Sequence, residues 1–208
     1  NGLYIAVQGS KKNTRESFGS LMVGFPIAIV GIFVIVATIF RSYIQPFIIL
    51  LTIPFGIIGA IVGHLLMGYN LSMMSIFGIV ALSGVVINAS IVLIERVNTN
   101  LSQGMDLFEA VVQGGARRFR AIFLTSISTI GGLAPLILET DMQAKFLIPM
   151  ALSVAAGVAF ATVLTLVLIP SLLVIINDCR RLFHKIIHGY WPEREAVEPR
   201  AISREGVN

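Results

Sequence analysis

The sequence predicts an all-α membrane fold: a bundle of five transmembrane helices joined by short turns, plus one short interfacial helix on the cytoplasmic side. Three observations carry this. Five apolar stretches, at residues 18–40, 46–67, 72–94, 121–138 and 146–176, are each long enough for a helix to cross a bilayer, which takes roughly 20 residues. The 208 residues are 56% hydrophobic and only 12% charged, where a soluble domain carries about 25% charged residues. The connections between the stretches are short and polar or charged.

Five crossings place the two ends of the chain on opposite sides of the membrane. Arg41, Arg96, Arg117, Arg118, Arg120, Arg180, Arg181, Lys185, Arg194, Arg200 and Arg204 fall on one side; only Lys11, Lys12, Arg15 and Lys145 fall on the other. Because cytoplasmic loops carry the excess of Lys and Arg, the Asn1 end is expected outside and the Asn208 end in the cytoplasm. The net charge of +4 is thereby accounted for by membrane orientation, and no nucleic-acid partner is expected.

Residues 1–17 read as the end of an extracytoplasmic domain and a linker. Leu3, Tyr4, Ile5, Ala6 and Val7 alternate in a way that suits a strand, and a polar run follows. With no initiator Met, no basic n-region at the start and no cleavage site, no signal peptide is expected here. The opening is expected to be the tail of something larger. Residues 18–177 form the bundle. The first span ends at Phe40, Arg41, Ser42 and Tyr43, a cation and an interfacial aromatic. Pro46 fits the first turn of the second span, where its missing N–H costs nothing.

Gly56, Gly59, Ala60 and Gly63 in that span have the four-residue spacing of small side chains that lets helix backbones approach, and are read as packing positions. His64, at the outer end, is expected to be a hydrated anchor. No second His, Cys or acid stands at metal-ligand spacing from it. Gly68, Tyr69 and Asn70 form a tight turn. Residues 101–114 read as the interfacial helix, with Leu101, Met105, Phe108 and Val112 on its apolar face.

The fifth stretch would be about 46 Å long as a helix and must tilt or project from the bilayer. Ala151, Ala155 and Ala159 repeat there every four residues as a packing stripe. Residues 178–208 are a cytoplasmic tail, basic near the membrane, then of mixed charge with Pro192 and Pro199, and its end is expected to be disordered. Cys179 is the one cysteine, which excludes an internal disulfide or a cysteine metal cluster; it is read as an inert thiol.

Ionisable groups within hydrocarbon are costly and usually functional, and the spans contain almost none. What remains is Asn88 and Ser90 in the third span, and Thr125, Ser126, Ser128 and Thr129 in the fourth, with Arg118 and Arg120 just before it. Asn88 lies one heptad from Glu95, and Arg118 one heptad from Thr125, so each pair shares a helix face over about 10.5 Å of rise. Two neighbouring helices would each present a polar stripe running from the cytoplasmic surface toward the midplane. Ser126 and Ser128 are expected to be ordinary interhelical hydrogen-bonding groups. Asn88 suits packing and function equally, and the arginines also stand where orientation anchors belong.

The stretches RSYIQPFIILLTIPFGIIGAIVGHLLMG, FGIVALSGVVINASIVLIE and GGARRFRAIFLTSISTIGGLAPLILE, in that order, resemble the resistance–nodulation–division (RND) multidrug efflux transporters of the hydrophobe/amphiphile type. The resemblance runs from about residue 17 to 176 and covers the last five of that family's twelve spans. It implies the C-terminal segment of a bacterial inner-membrane antiporter, driven by the proton-motive force and exporting drugs or other amphiphilic compounds. It implies as partners the N-terminal half of the same permease, two further copies in a homotrimer, a periplasmic adaptor protein and an outer-membrane channel. By the same resemblance Asn88, Arg118 and Thr125 fall on proton-relay positions. Two departures stand out. Asn88 replaces a common lysine, so no cation from this span offsets the relay acids, and one carboxyl of the other half is expected to stay protonated and hydrogen-bond Asn88. Ala121 replaces a common proline, for which no functional account is offered.

Two other functions compete. A noncatalytic membrane subunit assisting assembly or protein translocation is disfavoured by the closeness of the motif match. A membrane enzyme needs a nucleophile or ligand set at membrane depth, and there is no HExxH, no paired intramembrane aspartates and no convincing Ser–His pair. The chain is therefore expected to be no enzyme and to use no cofactor or metal.

Overall fold

A computed structural model describes residues 2–188 and Trp191, with side chains from 16 to 186 and at 191. The described elements are six helices: α1 (Gly2–Phe40), α2 (Ile44–Leu50), α3 (Thr52–Met67), α4 (Met73–Ser102), α5 (Leu107–Ile137) and α6 (Met142–His188). With α2 and α3 taken as one crossing, Ile44–Met67, five helical segments are long and apolar enough to span a membrane. The short connections between them make successive crossings antiparallel.

Residues 3–7 are helical, not a strand, and the polar run after them continues α1. A five-residue alternation makes a strand only beside another strand that takes its backbone hydrogen bonds. No strand exists among the described residues, and a helix satisfies its own backbone.

The second crossing breaks at Leu51 because Pro54 has no N–H for the Leu50 carbonyl and its ring crowds that carbonyl. The Leu51 N–H still reaches the Phe47 carbonyl at 3.0 Å, and the Thr52 hydroxyl donates to the Ile49 carbonyl at 2.5 Å. Gly68 ends α3 in the left-handed region, at φ 69°, a conformation that costs glycine nothing. Ser72 then opens α4 through a capping box with Ser75.

Residues 101–114 form no separate interfacial helix. Gly104, at φ 86°, turns the chain, and α5 then runs unbroken from Leu107 through the fourth span. The buried face is also rotated from the one expected. Leu107, Ala110, Val111 and Gly114 are buried, whereas Phe108 and Val112 are exposed. The reason lies in the contact with α4: a methyl group on Gly114 would come within 2.8 Å of the Val97 side chain, and the Asn100 amide donates to the Ala110 carbonyl at 3.0 Å.

Helix α6 is the centre of the bundle, packed extensively on α3, α4 and α5. Glycines set the closeness. A Cβ on Gly59 would lie 2.5 Å from that of Phe160, and one on Gly63 would overlap Ala156. Gly56 instead faces Leu82 of α4, while Gly157 of α6 leaves room for that same leucine. Ala60 is fully buried among Leu82, Val86, Val158 and Ala161. The expected alanine stripe holds only in part: Ala151 and Ala155 are buried but Ala159 is exposed. Four-residue steps drift about 40° each around a helix of 3.6 residues per turn, so the buried line passes instead to Val158, Ala161 and Thr165.

At 47 residues, α6 is about 70 Å long if straight. The first part of the predicted tail, to His188, is thus helix, and the end expected to be disordered lies outside the described residues.

Candidate cleft at the junction of three helices

About two turns of α4, two turns of α5 and the middle of α6 line a cleft of about 100 Å³. Asn88, Ala89 and Val92 form one wall; Ala121, Ile122, Thr125 and Ser126 form the other; Val158, Ala161, Thr162 and Thr165 form the floor. Asn88 and Thr125 therefore line one cavity, while Glu95 and Arg118, the other members of the two heptad stripes, do not. Asn88 and Thr125 are both exposed to it. The Asn88 amide makes no hydrogen bond among the described residues and is free to donate and accept. The Thr125 hydroxyl donates to the Ala121 carbonyl at 2.9 Å, which leaves its oxygen lone pairs facing outward as acceptors.

Ser126 is buried and donates to the Ile122 carbonyl at 2.9 Å, so the Thr162 hydroxyl 2.6 Å away is the donor to Ser126. This α5–α6 link matches the interhelical role expected of Ser126. Ser128, by contrast, is exposed. Thr162 and Thr165, both buried, were not singled out in the sequence; the signal was two threonines one turn apart in an otherwise apolar span. Arg118 is half-buried and does not line the cleft. It lies about one turn before Ala121 on α5, toward the end of the helix that bears the arginines. Arg117 instead joins an exposed chain along α5, donating to Gln113, which donates to Glu109.

Further polar contacts hold the helices together away from the cleft. Gln45 of α2 and Asn98 of α4, both buried, exchange two amide hydrogen bonds of 2.9 Å each. Thr52 and Ser90 approach to 3.3 Å. His64 is not a hydrated anchor: it is 2% exposed, with Nδ1 2.9 Å from the Ala60 carbonyl and Nε2 2.8 Å from the Ser75 hydroxyl. Packing of α6 over the α3–α4 turn excludes water there, since Ser153 of α6 donates to the Ser75 carbonyl at 3.0 Å. Among the described residues no three His, Cys, Asp or Glu side chains are grouped so as to hold a metal ion. Cys179 is exposed near the far end of α6.

Long apolar helices in alternating directions, closely packed through glycine and lined at one junction by hydroxyls and an amide, define a multi-pass membrane bundle of the kind used in transporters. The chain belongs to the AcrB/AcrD/AcrF family, whose profile matches residues 1–177. It is 32% identical over 163 residues to the Swarming motility protein SwrC of Bacillus subtilis (strain 168), a match covering 78% of this chain and 16% of that protein. Among solved structures it is similar to a heavy metal efflux pump in two crystal forms. Form II gives a TM-score of 0.73 at 31% identity, over 80% of this chain and 17% of that one. Form I gives 0.67 at 30% identity, over 80% and 16%. The chain thus spans about a sixth of the length of these relatives.

Proposed function

We propose that this chain is the C-terminal helix bundle of an efflux permease of the bacterial inner membrane. The permease is driven by the proton-motive force, exports drugs or other amphiphilic compounds, and performs no covalent chemistry on them. The observation that carries the reading is the shared cleft of Asn88 and Thr125 on adjacent helices. A cavity with an unengaged amide on one wall and an outward-facing hydroxyl oxygen on the other suits a carboxylic acid presented by the other half of the permease. Asn88 can hydrogen-bond that acid in either protonation state, and Thr125 can accept from its protonated form. Arg118 favours the charged form as the proton leaves toward the arginine-bearing side, proposed to be the cytoplasm. Alternating access requires two bundles working about one site, so the working unit includes the N-terminal half. Family likeness supports a homotrimer joined to a periplasmic adaptor and an outer-membrane channel.

The test uses the full-length permease in inverted vesicles with an imposed pH gradient, following a fluorescent amphiphile and a divalent metal as alternative cargoes. Thr125→Ala is expected to lower proton-coupled efflux at least tenfold with the protein still present in the membrane, and Asn88→Lys to change its pH profile. Undiminished, gradient-dependent efflux by Thr125→Ala together with an unaltered profile for Asn88→Lys would remove the cleft from the mechanism. Export of the metal but not the amphiphile would overturn the proposed cargo.

A further inference from the structure

Helices α5 and α6 form a second hollow besides the cleft. A groove of about 500 Å³ follows their seam toward the end of α5 that bears the arginines, lined by Val112, Gly115, Ala116 and Phe119 of α5 and by Leu166 and Pro170 of α6. We propose that this groove binds an anionic phospholipid of the cytoplasmic leaflet, with the root of an acyl chain in the groove and the phosphate on Arg120. It rests on the proposed function only for the cytoplasmic placement of this end of the bundle.

The groove and the cleft lie on different sides of the seam. A helix turns about 100° per residue, so Phe119, in the groove, and Ala121, in the cleft, stand on nearly opposite sides of α5. A second bundle seated on the cleft therefore leaves the groove to the lipid. The two adjacent glycines of α5 serve different surfaces. A methyl group on Gly114 would come within 2.8 Å of Val97, whereas one on Gly115 would meet nothing within 4 Å. Gly115 thus closes no helix contact and leaves space along the seam. Toward the bilayer centre the apolar surface continues: Phe119 and Phe123 stack at 5.6 Å, both exposed, and Val163 and Val167 of α6 are exposed beside them. That is the path an acyl chain takes from an anchored headgroup.

Charge decides which lipid. Arg117, Arg118 and Arg120 mark the level where hydrocarbon gives way to headgroups. Arg117 is tied to Gln113. Arg120 is exposed and makes no hydrogen bond or ion pair among the described residues. Helical side chains lean toward the helix N-terminus, so Arg120 reaches back over the turn that holds Ala116, at the rim of the groove. The nearest acids along these two helices are distant. Glu109 stands seven positions from Ala116 and Asp178 eight positions from Pro170, about 10 Å or more of rise. Glu109 also accepts a hydrogen bond from Gln113. A phosphate at the rim therefore meets a guanidinium with its charge uncompensated, which binds it through charge-assisted N–H donors. A zwitterionic headgroup carries its own cation to the same place and gains less.

The test is photo-crosslinking of the full-length permease, with p-benzoylphenylalanine in place of Phe119, in vesicles of equal parts phosphatidylglycerol and phosphatidylcholine. Both leaflets have the same composition, so the outcome does not depend on which way the permease faces. Lipid adducts are identified by mass. Phosphatidylglycerol adducts are expected to exceed phosphatidylcholine adducts about fivefold, the factor supplied by one cation at an anionic membrane surface. The same probe in place of Val23, exposed on α1, should give the two lipids equally. Arg120→Gln should bring the ratio at position 119 to parity, and Arg120→Lys should keep the preference. Gly115→Leu, which fills the groove, should lower the yield of lipid adduct. Equal adducts in the parent, a preference that survives Arg120→Gln, a yield indifferent to Gly115→Leu, or a crosslink to another segment of the permease in place of lipid would each overturn the proposal. None of these readouts depends on efflux, so failure here is separable from failure of the cleft mechanism.

Discussion

Asn88 and Asn98 are the same residue type on the same helix, ten positions apart, and the structure gives them opposite duties. Asn98 is buried and returns both hydrogen bonds of Gln45; Asn88 faces an open cleft. Replacing Asn98 by Leu removes two hydrogen bonds and strands both ends of the buried Gln45 amide. An unpaired buried polar group costs about 1–3 kcal/mol. Interhelical hydrogen bonds in membranes average nearer 0.6 kcal/mol, because the unfolded helices find other partners. With both bonds lost and Gln45 95% buried, the expected cost is about 2 kcal/mol.

Replacing Gln45 by Met as well removes the stranded amide. The double variant should therefore recover to within about 1 kcal/mol of the parent, since a buried polar pair exchanged for apolar groups of similar shape is nearly neutral. The assay is equilibrium unfolding of the permease in mixed detergent–SDS micelles, followed by helical circular dichroism for both single variants and the double. Single-variant losses that simply add, within about 0.5 kcal/mol, would show the two amides to be independent and refute the reasoning.

Two further outcomes follow from the packing. Gly63→Ala should destabilise by about 1–3 kcal/mol in the same assay, because its methyl group meets Ala156 on a neighbouring backbone. Gly31→Ala, which meets nothing within 4 Å, should instead be neutral or gain up to about 1 kcal/mol from helix propensity; the same sign for both would contradict the close approach of α3 and α6. Cys179 is exposed. In a permease retaining only this cysteine, a membrane-impermeant maleimide should label it from the cytoplasmic face alone, and labelling of intact cells would reverse the proposed orientation.

The five crossings were legible because apolar length is a local property, visible residue by residue. Helix ends were not, because hydropathy reports where hydrocarbon ends and not where the backbone stops being helical. Thus α4 continues to Ser102, α5 starts as early as Leu107 and α6 reaches His188. Heptad arithmetic put polar side chains on one face of α4 and one face of α5, but that Asn88 and Thr125 line the same cleft is visible only in the packed bundle. Gln45 with Asn98, Ser126 with Thr162, and His64 with Ser75 could not be read from the sequence either. Each depends on which helix lies opposite and at what height, and only the assembled packing fixes that. The rotated face of α5 has the same origin: Phe108 and Leu107 suit an apolar face equally, and the Gly114–Val97 contact chooses between them.

Thr162 and Thr165 at the base of the cavity and Ser153 at the histidine are borne by one rod, α6, nine to twelve positions apart. That separation is roughly 14–18 Å along its axis. Were this rod to slide or turn by an ångström, both polar stations would register the displacement together. Two polar clusters with no residue in common are thereby yoked by a common spine.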